Sequence, residues 1–72
     1  MTKTKEVEAI IQQAGLKKKW IAQQLGLSPY GFALKLANKS DFTTTELTKL
    51  CDILGIYAIE DKERLFFATE VE

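Results

Sequence analysis

Residues 17–38 constrain the chain more than any other segment. A short amphipathic stretch, residues 18–25, runs into Gly26-Leu27-Ser28, and a second stretch opens at Pro29. Ile21, Ala22 and Leu25 fall on one face of the first stretch at helical spacing. Gly26 follows at once, and glycine closes a helix in the left-handed conformation at the least cost. Ser28 is a good N-cap, and Pro29 is pre-organised for the first helical position. Phe32 and Leu36, at i and i+4, are the inward pair of a helix expected over residues 29–37. Two short helices around a tight glycine-containing turn form a helix-turn-helix unit. In that geometry Ala22 must be small, because the second helix crosses close above it. Leu25, Leu27 and Phe32 then lock the pair into a rigid corner. At about two turns, the first helix depends on tertiary packing.

The flanking segments are read the same way. Over residues 4–14, Val7, Ile10, Ile11 and Ala14 make one helical stripe, with Glu6 and Glu8 near the end that the helix dipole favours for acids. Thr43-Thr44-Thr45-Glu46 is a capping box, and Phe42 with Leu47 forms a candidate hydrophobic staple. Leu47, Leu50, Cys51 and Leu54 continue that helix to Gly55. The tail, 56–72, has two readings. Residues 61–68 suit a short helix begun by Asp61 and Glu63, while 65–71 are rich in aromatic and β-branched residues, as strands are. The helix, with a loose end, is the favoured reading. The expected fold is all-α: a compact bundle of four to five short helices in one domain, 1–72, with the helix-turn-helix unit at about 17–38.

The inventory excludes whole classes of chemistry. The 72 residues contain no histidine, so imidazole-based catalysis and imidazole zinc sites are absent. The single cysteine, Cys51, makes neither an intrachain disulfide nor a zinc ribbon, and it sits on an apolar stripe as a core residue. A chain this short buries only about 60% of the surface its unfolded form exposes, which leaves little body for a deep pocket. No catalytic residue, cofactor, metal or small-molecule substrate is expected. The longest apolar run, 53–59, is far short of the roughly 20 residues of a membrane span, and no stretch beside Lys3 and Lys5 resembles a signal peptide. A reducing, cytoplasmic setting follows as an expectation.

Net charge is zero, but unevenly distributed. Residues 1–39 carry seven lysines against two glutamates, a net of +5, and residues 40–72 carry three cations against eight carboxylates, a net of −5. A basic face can meet a polyanion while an acidic one points away.

Residues 16–56 resemble the lambda-repressor/Cro-like (XRE) helix-turn-helix family. The resemblance rests on Ile21-Ala22, Leu25-Gly26-Leu27-Ser28, Phe32, Leu36, Asn38-Lys39 and the helix Glu46-Leu47, Leu50, Leu54-Gly55. Order and spacing together carry it. Arg64-Leu65-Phe66-Phe67-Ala68 also resembles, more weakly, the endings of small regulators of prophages and mobile elements. The resemblance implies a DNA-binding regulator of phage, prophage or mobile-element origin. It would act as a homodimer on double-stranded DNA by occupying an operator.

Position by position, it implies base reading by Pro29, Tyr30, Gly31, Ala33 and Leu34 on the exposed face of the second helix. It implies a DNA contact by Lys18, phosphate contacts by Lys17, Asn38 and Lys39, and capping by Ser28. The chain departs from the family pattern in two ways. The reading face lacks the usual Gln, Asn, Arg, Ser and Thr, so Ala33 and Leu34 offer only apolar contact, for example to a thymine methyl. Lys18 and Lys35 are then the expected sources of polar readout. Lys35 itself occupies a position that is usually apolar, its packing passing to Leu36 or Leu34. Trp20 reads as a core or rim aromatic. Of the adjacent Phe66 and Phe67, one caps the core and the other is free to seal a dimer. The apolar reading face and the zero net charge also fit a different class, a protein-interaction module on the same scaffold.

Overall fold

Residues 1–69, those described in the computed structural model, form five α-helices and no strand. They are α1 (Thr4–Gln13), α2 (Lys18–Gln24), α3 (Pro29–Leu36), α4 (Thr44–Leu54) and α5 (Ile59–Phe66). The C-terminal ends of α1, α2 and α4 obey one local rule. At the end of α2, Gly26 has φ of 73°, its N–H donates to the Gln23 carbonyl at 3.1 Å, and the Leu27 N–H donates to the Ala22 carbonyl at 2.9 Å. This paired capping satisfies carbonyls that a helix end otherwise leaves orphaned. It also turns Leu27 back onto the core. Gly15-Leu16 and Gly55-Ile56 repeat the pattern.

The starts of α3 and α4 are capped as their sequences predict. Ser28 Oγ accepts from the Gly31 N–H at 2.9 Å. Thr43 and Glu46 complete a reciprocal capping box, with bonds of 2.9 and 3.1 Å.

Val7, Ile11, Ile21, Ala22, Phe32, Leu36, Leu50 and Leu65 are central in the buried core. Removing one such large side chain from water stabilises the fold by about 1.5–3 kcal/mol. Ala22 is fully buried on the corner where α2 packs on α3. The stripe of α1 is narrower than expected: Val7 and Ile11 are buried and Ile10 partly so, but Ala14 lies beyond the helix end and is exposed. Phe42, two residues before α4, packs on the core. Its ring meets Phe32 edge-on at 6.1 Å between centroids and Phe66 at 6.3 Å, joining α3 to α5. Such aromatic pairs contribute about 0.5–1.5 kcal/mol beyond area burial. The resulting radius of gyration, 11.0 Å, is that of a fully compacted chain, about 11 Å for this length.

The tail is helical, but α5 begins and ends two residues before the 61–68 expectation. Glu60 and Asp61 occupy its first turn and Arg64 its last, each on the side the helix dipole favours. A strap at the N-terminus explains the early end. Met1 N donates to the Ala68 carbonyl at 2.8 Å, and the Ala68 N–H donates back to Met1 at 3.1 Å. The Lys3 N–H donates to the Leu65 carbonyl at 2.7 Å. Backbone pairing at Ala68 thus replaces another helical turn. Phe66, the last residue of α5, is buried, and Phe67, just past its end, is 61% exposed. The strand reading of 65–71 finds no strand through residue 69, and its last two positions lie outside the described residues.

Candidate nucleic-acid interface

The outer face of α3 carries Pro29, Tyr30 and Ala33 in the open, with Gly31 and Leu34 half-buried. Tyr30 is the most exposed large apolar side chain among the described residues, at 73%. Its phenol is the one hydrogen-bonding side chain at these five positions. The inner face, Phe32 and Leu36, is anchored in the core against α2 and Phe42. The outer face is therefore presented by a helix that has little freedom to turn.

Lys35 does not extend from this face. Its Nζ lies 2.5 Å from Glu46 Oε1, with both side chains largely buried. The same carboxylate oxygen accepts from the Thr43 N–H at 2.9 Å. One oxygen therefore caps α4 and holds the lysine of α3. This is how a lysine stands at a position expected to be apolar: its stem packs, its head is neutralised, and Leu36 supplies the buried contact.

The Lys35 hydrogen bond, and then the Thr43 N–H, hold the Glu46 carboxyl below the usual glutamate range. A depressed folded-state pKa contributes stability that is fully present above the unfolded value, about 4.3, and is lost as pH falls through the folded value. Glu46→Gln is accordingly less stable than the wild type at pH 7, and the gap narrows as thermal melts are taken down through pH 4 to pH 3. A gap constant over that range would mean that the pair does not hold α3 to α4.

Asn38 is also committed within the chain. It closes α3 at φ of 63° in the role that glycine fills elsewhere, with the Asn38 N–H on the Lys35 carbonyl at 3.2 Å and the Lys39 N–H on the Leu34 carbonyl at 2.8 Å. Asparagine is among the few residues other than glycine that tolerate this region. Its side-chain amide pairs with the backbone of Thr2 in both directions, accepting from the N–H at 2.8 Å and donating to the carbonyl at 3.0 Å. The Thr4 hydroxyl donates to the Leu36 carbonyl. Thr2, Thr4 and Glu46 thus fix the far end of α3. Thr2 and Thr4 carried no signal in the sequence, since their partners are more than thirty positions away.

The lysines divide into two groups. Lys18 forms an ion pair with Glu8 of α1, and both side chains are well exposed. Exposed pairs contribute about 0–1 kcal/mol, so a phosphate can compete for this lysine. Lys18 and Glu8 line one pocket with Pro29, Ala33 and Ala37, which places the start of α2 beside the outer face of α3. Lys17, Lys19 and Lys39 are exposed and form no ion pair among the described residues. Arg64 pairs with Glu6 and, more loosely, with Asp61, tying α5 to α1. Trp20 sits at the rim, 44% exposed. Cys51 is buried, and desolvation raises its thiol pKa, which suits packing rather than nucleophilic chemistry.

Among the described residues, no helix is long and apolar enough to cross a membrane. No protein-family model, curated protein or solved structure matches this chain.

Proposed function

We propose that this protein is a sequence-specific DNA-binding transcriptional regulator of the lambda-repressor/Cro-like helix-turn-helix type, of phage, prophage or mobile-element origin. The α2–α3 corner supports this reading most strongly. A short helix bearing Lys17 and Lys18 at its start packs on a second helix whose outer face is free, and Gly26 makes the turn between them. The second helix is narrow enough for a major groove of roughly 12 Å, while the first lies across the phosphate backbone. Lys17, Lys18 and Lys39 meet phosphates in this account, and Ser28 holds the capped start of α3 in place. Pro29, Tyr30, Gly31, Ala33 and Leu34 meet the base edges. Lys35 and Asn38 act from behind, as residues that position the helix.

The protein works as a homodimer in the cytoplasm. It sets two copies of α3 into successive major grooves about 34 Å apart and blocks access to the operator. Phe67, exposed beside a groove of about 220 Å³ that Phe42, Leu47, Cys51 and Phe66 help to line, is the residue proposed to seal the dimer. No cofactor, metal or catalytic step enters.

Selection from a random duplex pool, read at low and at moderate salt, tests the reading. Enrichment of a short palindromic site is the expected result. Retention without enrichment, collapsing as salt rises, would reduce the function to phosphate binding. A protein-interaction role on the same scaffold gains from the apolar outer face of α3 and the engaged Lys18. Absence of any retained duplex at low salt would refute DNA binding and favour that alternative.

A further inference from the structure

We infer that α3 identifies its DNA site by the C5-methyl groups of thymine rather than by the hydrogen-bonding edges of the bases. This inference rests on the DNA-binding reading above and specifies what that site recognises. The observation behind it is that the lysine of α3 and the asparagine just after it are withdrawn, which leaves Tyr30, with its single hydroxyl, as the one hydrogen-bonding side chain on the outer face. Of its side chains near the groove, Lys35 is held by Glu46 and Asn38 by Thr2, so neither extends toward a base. What remains in the open is Pro29, Tyr30 and Ala33, with the edge of Leu34.

The major groove distinguishes base pairs by donors, by acceptors and by one apolar group, the thymine methyl. Bidentate recognition of guanine needs Arg or Lys, and that of adenine needs Asn or Gln. The outer face of α3 offers none of these free. The methyl of Ala33 and the edge of the Leu34 side chain are apolar, as the thymine methyl is. The occupant is taken to be DNA because the apolar strip is flanked in sequence by exposed Lys17, Lys19 and Lys39, which suit a polyanion.

The test uses the duplex retained in the pool selection, resynthesised with deoxyuridine replacing thymine at one position at a time. Deoxyuridine keeps every hydrogen-bonding group of thymine and lacks only the methyl. Binding of the full chain should weaken by about fourfold at each contacted thymine, the value of one buried methyl-sized group. Placing 5-methylcytosine for cytosine restores a methyl at the same ring position and gives an independent reading of the same contact. In Ala33→Ser, which puts a hydroxyl on the strip, the thymine-to-deoxyuridine ratio should move toward one at the position that Ala33 meets.

A retained duplex that binds equally well with every thymine replaced would overturn this inference and leave the DNA-binding reading standing. A selected site without thymine would do the same. Failure to retain any duplex at low salt would overturn both.

Discussion

Asn38→Ala should melt more than 10 °C below the wild type. Two losses combine in that variant. Alanine at φ of 63° meets the left-handed penalty that asparagine largely avoids, about 1–2 kcal/mol. The two hydrogen bonds to the Thr2 backbone also go, at about 0.5–1.5 kcal/mol each, leaving a buried segment without its partner. Together they amount to about 2–5 kcal/mol, against roughly 4–11 kcal/mol for a whole domain of this size. In small domains each kcal/mol moves the melting temperature by about 4–8 °C. Asn38→Gly separates the two losses: it keeps the conformation, loses the bonds, and should fall between wild type and Asn38→Ala. Calorimetric melts of the three proteins decide the matter. An Asn38→Ala melt that overlays the wild type would mean that the N-terminal strap is not held through this side chain.

Double reversal of Lys17 and Lys39 to glutamate should weaken binding to the selected duplex by about 100-fold or more. A hydrogen bond to a charged group contributes about 1.5–3 kcal/mol, and two are removed per protomer while repulsion is added. The slope of log affinity against log salt should also become shallower, by about 0.9 for each phosphate that the variant no longer neutralises. These two lysines suit the test better than Lys18, whose reversal would set a second carboxylate against Glu8. Neither has an ion pair among the described residues, so thermal stability should stay within about 0.5 kcal/mol of wild type. Circular dichroism melts beside a fluorescence-anisotropy titration over salt give both quantities. Wild-type affinity in this variant would refute the assigned face.

The two results probe different layers of the chain. Asn38 is adjacent to Lys39 in sequence, and the family resemblance assigns a phosphate contact to both. In three dimensions they part: Asn38 closes α3 and pairs with Thr2, while Lys39 stays in the open. A single sequence gives no sign of that division, because the partner of Asn38 lies thirty-six positions upstream. Lys35 is a similar case. As a lysine on a short helix it reads as an outward cation. Only the approach of α4 brings Glu46 to it and turns it into a bond between helices.

What the sequence determined by itself is local. Gly26, the Ser28-Pro29 start, the Thr43 to Glu46 capping box and the spacing of apolar residues each act within about one helical turn. The physical chemistry of that turn is complete in the sequence, so the bounds of α1 to α4, the starts of α3 and α4 and the glycine ends of α1, α2 and α4 were legible to within a residue or two. The tertiary structure decided whatever depended on distant partners. The end of α5 is set by Met1 and Lys3, which compete for the backbone of Ala68 and Leu65. The place of Phe42 is set by rings on α3 and α5, and the withdrawal of Lys35 and Asn38 from the outer face of α3 by Glu46 and Thr2. Hydrogen bonds and ion pairs of this kind form only after chain compaction has already placed the partners, so their pattern is a property of the packed molecule rather than of any segment of it.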